Sequence, residues 1–199
     1  MRQRATIGGR AAVLGGSRSV RGFTMVELLI VLMLLALLTG LTLPKVNFRQ
    51  YQIDAAVRDI SSAMQLAGRL AVVRQHDVII SFDLARNMMR TVEDANNNGG
   101  ADANERIQWY PLEDQARFAT PPVTVYGATP TGAVMGSNLK MVDGMPSVVF
   151  RRSGAASSNA EVYVTTLEGR ANDFRAVVLI QSTGRADWMK YINGVWKDT

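Results

Sequence analysis

Phe23–Leu43 reads FTMVELLIVLMLLALLTGLTL and follows directly on Arg21-Gly22. The run is 21 residues long and carries one charge, Glu27. As an α-helix rising 1.5 Å per residue it reaches about 30 Å, the thickness of the hydrocarbon core of a bilayer. Arg2, Arg4, Arg10, Arg18 and Arg21 precede it with no acid among them, and the next basic residues are Lys45 and Arg49. That bias predicts a single span with the leader on the cytoplasmic side and the rest outside. A secretory signal would be cut after its apolar run at a small-x-small pattern, for which Thr39-Gly40-Leu41 is a poor fit. A carboxylate in hydrocarbon costs about 3 kcal/mol unless paired, so Glu27 is a functional candidate and a cation in the same layer its natural partner. Pro44 closes the run; it lacks an N–H and disfavours helical geometry at Leu43, which predicts a kink there.

The boundary before the run, Arg21-Gly22-Phe23-Thr24-Met25-Val26-Glu27, resembles the type IV prepilin signal of pilins and secretion pseudopilins. The resemblance implies cleavage between Gly22 and Phe23 by a membrane-embedded prepilin peptidase and methylation of the new Phe23 amine. Glycine before the cut suits a protease that needs an unhindered backbone. The freed amine of Phe23 on a neighbouring subunit is then the cation that Glu27 would meet, setting the axial register of one subunit on the next. In that family the region around Pro44 is where the helix can unwind inside the filament.

Beyond the span, Ile53, Val57, Ile60, Met64, Ala67 and Ala71 recur at spacings of three and four, with Asp54, Arg58, Asp59 and Arg69 largely off that stripe. This is the period of an amphipathic helix. One long, kinked helix is expected from Phe23 to about Gln75, transmembrane in its first half and packed on a soluble domain in its second. After His76 the period drops to two. Strands are expected at Asp77–Asp83, Asn87–Glu93, Arg106–Tyr110, Val123–Tyr126, Ser147–Arg151, Glu161–Thr166, Arg175–Gln181 and Arg185–Tyr191, with loops at Gly127–Asn138 and Gly154–Asn159. The predicted class is α+β: the helix packed against an antiparallel, two-sheet β domain. The expected organisation is a leader at 1–22, a membrane and filament-core helix at 23–43, its amphipathic continuation at 44–75 and a β-rich domain at 76–199.

The layout resembles the GspH/FimT family of minor pseudopilins and minor pilins. Val148-Val149-Phe150, Ser153-Gly154, Ala176–Ile180 and Ser182-Thr183-Gly184-Arg185 carry the resemblance in the C-terminal part. It implies a structural subunit of a type II secretion pseudopilus or type IV pilus. Its partners would be other pilins or pseudopilins, prepilin peptidase and the inner-membrane assembly platform. It would sit in the bacterial inner membrane, with its C-terminal domain periplasmic. An alternative is a surface-exposed minor pilin that binds DNA or another ligand. Some relatives that support DNA uptake carry Gly-Arg-x-Arg, where this chain has Gly184-Arg185-Ala186-Asp187. Aspartate stands where phosphate would have to sit, so Arg185 is a poor nucleic-acid residue and no nucleic-acid partner is expected.

Composition agrees with a structural role. The net charge of +5 resides in the five leader arginines; the rest of the chain has 17 basic and 17 acidic residues. There is no cysteine and one histidine, His76, so neither a thiolate site nor a histidine triad can be built. No phosphate loop, serine elbow or carboxylate dyad is recognisable, and no enzyme activity is expected. One motif stands apart. Asp94-Ala95-Asn96-Asn97-Asn98-Gly99-Gly100-Ala101-Asp102-Ala103-Asn104-Glu105 fits the spacing of a calcium loop at every specified position. Asp94, Asn96, Asn98, Asp102 and Glu105 would offer side-chain oxygens and Gly100 its carbonyl. The flanks read as strands rather than paired helices, and the same residues are ordinary hairpin-loop material.

Overall fold

The computed structural model describes residues 22–42, 48–113 and 115–199. They divide at Val46/Asn47 into two units, each described by itself. Pro44 and the leader before Gly22 lie outside the described residues.

The first unit contains α1, Met25–Thr42, an 18-residue helix whose only charged residue is Glu27. Among the described residues no helix is long and apolar enough to cross a membrane. At 18 residues α1 reaches about 27 Å.

The second unit is a helix on two antiparallel sheets. Helix α2 runs Phe48–Arg74, so the predicted amphipathic segment is helical and begins a turn earlier than its apolar stripe. It stops where Gln75 takes a left-handed φ of 60°, a common way for a helix to end. Eleven strands follow: β1 Asp77–Asp83, β2 Met88–Asp94, β3 Arg106–Pro111, β4 Ala116–Phe118, β5 Val134–Gly136, β6 Lys140–Val142, β7 Met145–Phe150, β8 Ala160–Thr166, β9 Arg175–Ile180, β10 Arg185–Ile192 and β11 Val195–Asp198. One sheet has the order β3-β2-β1-β7-β6 and the other β11-β10-β9-β8-β4, with β5 also pairing β8. The α+β class is therefore as expected, with four short strands, β4, β5, β6 and β11, that the sequence does not predict.

Val123–Tyr126 is a correction. Its alternating pattern predicts a strand, yet it forms turns and bends. Thr124 Oγ1 donates to the carbonyl of Ala128 at 2.9 Å, and the Val125 N–H donates to Tyr163 Oη at 3.0 Å and Glu161 Oε2 at 3.2 Å. Its backbone is held by side chains of the β8 face rather than by a neighbouring strand. Trp196 Nε1 donates to the Val123 carbonyl at 3.1 Å, so the segment straps across that sheet from β8 to β11.

The core lies between helix and sheets. Ile53, Val57, Ile60 and Met64 of α2 are fully buried against Val78, Ile80 and Phe82 of one sheet and Val162, Val177 and Leu179 of the other. Each such side chain contributes about 1.5–3 kcal/mol. Strand β1 is buried on both faces, because Ile79 packs with Val92, Val142 and Val149 in a smaller cluster on the outer side. On the same side Arg90 lies buried across the sheet. Its Nη1 meets Asp143 at 2.6 Å, its Nη2 donates to Ser81 Oγ at 3.2 Å, and it stacks on Trp109. A charge in a strand of alternating pattern reads as solvent-facing, and Arg90, like Arg175 of β9, is buried instead.

Glu161 gives the fold a pH dependence. Burial on β8 raises its carboxyl above the ordinary carboxylate value, and the bond from Val125 N–H partly offsets that. Between the two values the folded state keeps a proton that the unfolded chain has lost. Stability present below this window is therefore lost as pH rises through it. Glu161→Gln is expected to flatten that part of the stability–pH profile, read by urea unfolding across the acid range. A profile that keeps its slope contradicts this assignment.

Candidate functional site

Glu27 and Phe23 sit at the start of α1. Thr24 is the N-cap, and its backbone N–H and hydroxyl both donate to Glu27 Oε2 at 3.0 Å. In return the Glu27 N–H donates to Thr24 Oγ1 at 3.2 Å. This is a reciprocal capping box, Thr-x-x-Glu, which satisfies helix-end donors that would otherwise lack partners. The motif is legible in the sequence as Thr24-Met25-Val26-Glu27 and is an additional role for Glu27. The cap holds its carboxylate one residue from Phe23, the residue whose amine the predicted cleavage would free.

In the second unit the helix is clamped to its sheet by charge. Asp54 on α2 accepts from Arg175 Nε of β9 at 2.6 Å and from Lys190 Nζ of β10 at 2.8 Å. Arg175 is 3% exposed and also donates to the carbonyls of Asn172 and Phe174. Asp54 therefore falls off the apolar stripe without being solvated.

The Asp94–Glu105 segment is a compact loop in which most of the candidate oxygens accept hydrogen bonds, while Glu105 Oε1 is buried with no hydrogen-bond partner. Asp94 is fully buried; its carboxylate accepts from the Asn98 N–H at 3.0 Å and the Gly99 N–H at 2.7 Å. Asn96 and Asn98 both donate from their amides to Asp102 Oδ2 at 2.7 Å. Gly100 N–H donates to Asn98 Oδ1 at 2.7 Å, and Asp102 N–H to Glu105 Oε2 at 3.1 Å. Lys140 Nζ caps the Gly99 carbonyl at 2.6 Å. The motif residues are thus brought together, but as a hydrogen-bonded turn. Among the described residues no group of three or more histidine or acidic side chains is placed to hold a metal ion. A cation held by Asp94 and Asp102 would have to displace the amide donors they now accept from. Asp94→Ala is expected to cost about 1.5–3 kcal/mol, because two N–H groups lose a charged acceptor. A urea midpoint shifted down at unchanged m-value checks it.

Arg185, at the start of β10, pairs with Asp187 two residues on, Nε to Oδ1 at 2.9 Å. The aspartate that interrupts Gly-Arg-x-Arg neutralises the arginine in place. His76 lies just past α2 with Nε2 3.6 Å from Glu93.

The separate pieces Val148–Phe150, Ser153-Gly154 and Ser182–Arg185 converge. Gly184 has φ +64°, and a Cβ there would lie 2.2 Å from the Gly154 carbonyl oxygen. A Cβ on Gly68 of α2 would lie 3.4 Å from Phe150 and 3.5 Å from the same oxygen. Phe150 and three glycines therefore lock the end of the helix to both sheets, and only glycine fits Gly184.

Residues 56–184 match the family described as Type II transport protein GspH. The chain belongs to this family. Residues 17–43 match the prokaryotic N-terminal methylation motif, which makes it a prepilin-type member. Two solved structures of the minor pseudopilin EpsH from the type II secretion system of Vibrio cholerae are similar to it. One has 8% identity and a TM-score of 0.46, covering 72% of this chain and 98% of that one. The other has 10% identity and a TM-score of 0.48, covering 70% of this chain and 94% of that one. No curated protein matches. The GspH match spans all three glycines of the lock.

Proposed function

We propose that this GspH-family chain is a minor pseudopilin, a structural subunit of a type II secretion pseudopilus. Residues 1–22 are its leader, removed by prepilin peptidase, and Phe23 is then methylated. Phe23–Leu43 anchors it in the inner membrane with the β domain periplasmic, and the assembly platform moves it into the filament. Pro44 provides the break at which the helix adapts to the filament. The observation that carries the reading is the pairing of two matches on one chain, the methylation motif over 17–43 and the transport family over 56–184. The first supplies the filament-forming signal and the second the system it serves. The capping box fixes the Glu27 carboxylate in the first turn of α1, the position from which it would meet a neighbour's Phe23 amine.

Deleting the chain in its host is expected to leave exported enzymes stranded in the periplasm while surface pili still form, with secretion restored by the intact gene. Loss of surface pili with secretion intact would move the subunit to a pilus.

A further inference from the structure

The loop Asp94–Glu105 joins the last residue of β2 to the residue before β3. It carries three carboxylates, Asp94, Asp102 and Glu105, in twelve residues. The cations nearest in the chain and in space are engaged elsewhere. Arg106 turns to Glu93, with Nε 3.6 Å from its carboxylate, and the Lys140 ammonium sits on the Gly99 carbonyl. Independently of the spacing, Glu105 Oε1 is buried and has no hydrogen-bond partner. Among the described residues it is the only carboxylate oxygen in that state. Its twin, Oε2, accepts from the Asp102 N–H at 3.1 Å, so the group is turned into the loop. An ionised carboxylate offers only lone pairs, and a buried one without a donor is costly. A cation is what completes it.

We propose that Asp94–Glu105 is a calcium site that staples the end of β2 to the start of β3. Asp94, Asn96, Asn98 and Asp102 supply side-chain oxygens, Gly100 its carbonyl, and Glu105 closes the site through both of its oxygens. Gly99, at the sixth position, has φ +75° and makes the sharp turn such a loop needs. In the hydrogen-bonded turn the three carboxylates do not surround one point. The amides of Asn96 and Asn98 each donate to Asp102 Oδ2 at 2.7 Å. Half a turn of each amide frees Asp102 and brings an oxygen to the same place, so two donors become two ligands. The cost is two bonds, from Asn98 N–H to Asn96 Oδ1 and from Gly100 N–H to Asn98 Oδ1. With oxygen ligands alone the site selects a hard cation over zinc or copper, and an irregular loop suits calcium better than octahedral magnesium. The displaced donors and the Lys140 ammonium nearby keep binding weak, with Kd about 0.1–1 mM, as in extracellular modules. Strand β3 is exposed at every residue, so calcium would fix the start of an edge strand that packing holds loosely.

The test adds calcium chloride to the full-length chain in detergent and follows tryptophan fluorescence on heating. Trp109, Trp188 and Trp196 all lie in strands of the β domain. Calcium at about ten times its Kd is expected to raise Tm by about 3–6 °C over excess EGTA. Titration calorimetry should find one site. Glu105→Gln and Asp102→Asn keep side-chain size and should each weaken binding at least about tenfold and remove the shift. Either variant that still melts cooperatively in EGTA decides the matter. Magnesium should give less than about a third of the calcium shift. Identical melts of the wild type in calcium and EGTA overturn the site. A shift equal in magnesium, or one that survives both substitutions, is general screening or binding elsewhere and overturns it too.

Discussion

Glu27→Ala is expected to insert in the membrane at least as well as the wild type and to fall at least about tenfold in filament incorporation. An acidic residue in a membrane helix disfavours insertion, and Glu27 stands in the first turn of α1, so removing its charge does not hinder insertion, and any loss must arise later. Two roles are removed together: the capping box with Thr24, worth about 1 kcal/mol of local helix stability, and the pairing with a neighbour's Phe23 amine. Glu27→Gln separates them, because glutamine can keep the box and has no charge. Cross-linking of membranes reads incorporation, and fractionation reads insertion. Glu27→Gln at wild-type incorporation would contradict the charge pairing and leave only the cap.

The second large effect is expected at Asp54. Asp54→Ala leaves Arg175 buried with its main counter-charge gone, which costs about 3–5 kcal/mol. For a domain of this size that lowers Tm by about 10 °C. Lys190→Ala should cost under about 1 kcal/mol, since that lysine is partly solvated and its pair is screened. The pair Asp54→Leu with Arg175→Met should recover much of the loss, because two apolar groups of similar volume leave no charge stranded. If Asp54→Ala and Lys190→Ala cost the same, the clamp does not depend on burial. Gly184→Ala belongs with these in kind: it combines a left-handed backbone with a blocked Cβ, and should destabilise the domain by at least about 2 kcal/mol in thermal melts.

Much of the architecture is legible in the sequence because burial imposes a period. The stripe from Ile53 to Ala71 is the buried face of α2, and β1, β2, β3 and β7 to β10 fall within a few residues of their predicted bounds. The missed strands are short. β4, β5 and β6 have three residues each, too few for a period to emerge. Two hairpins did carry a local signal. Asp143-Gly144 joins β6 to β7 and Asn193-Gly194 joins β10 to β11, all four residues with positive φ, the geometry of a two-residue hairpin turn. Val123–Tyr126 alternates like a strand because one side faces the sheet, but its partners are side chains 36 and 38 residues away. The roles of Asp54 and Arg90 depend on partners on other strands, which no local pattern reports. At the candidate site, the signal around Gly22, Phe23 and Glu27 is local and readable, as is the Thr24 cap. The glycine lock is not, since Gly68, Gly154 and Gly184 meet only in the folded domain.

The central claim is that the chain becomes a filament subunit by losing its leader at one bond. Intact-mass and peptide mass spectrometry of the protein from assembled filaments tests it most directly. The account predicts an N-terminus at Phe23 carrying one added methyl group, and an uncut leader when Gly22 is replaced by a bulky residue. A mature chain that retains residues 1–22, or one that begins after Thr39, would contradict it.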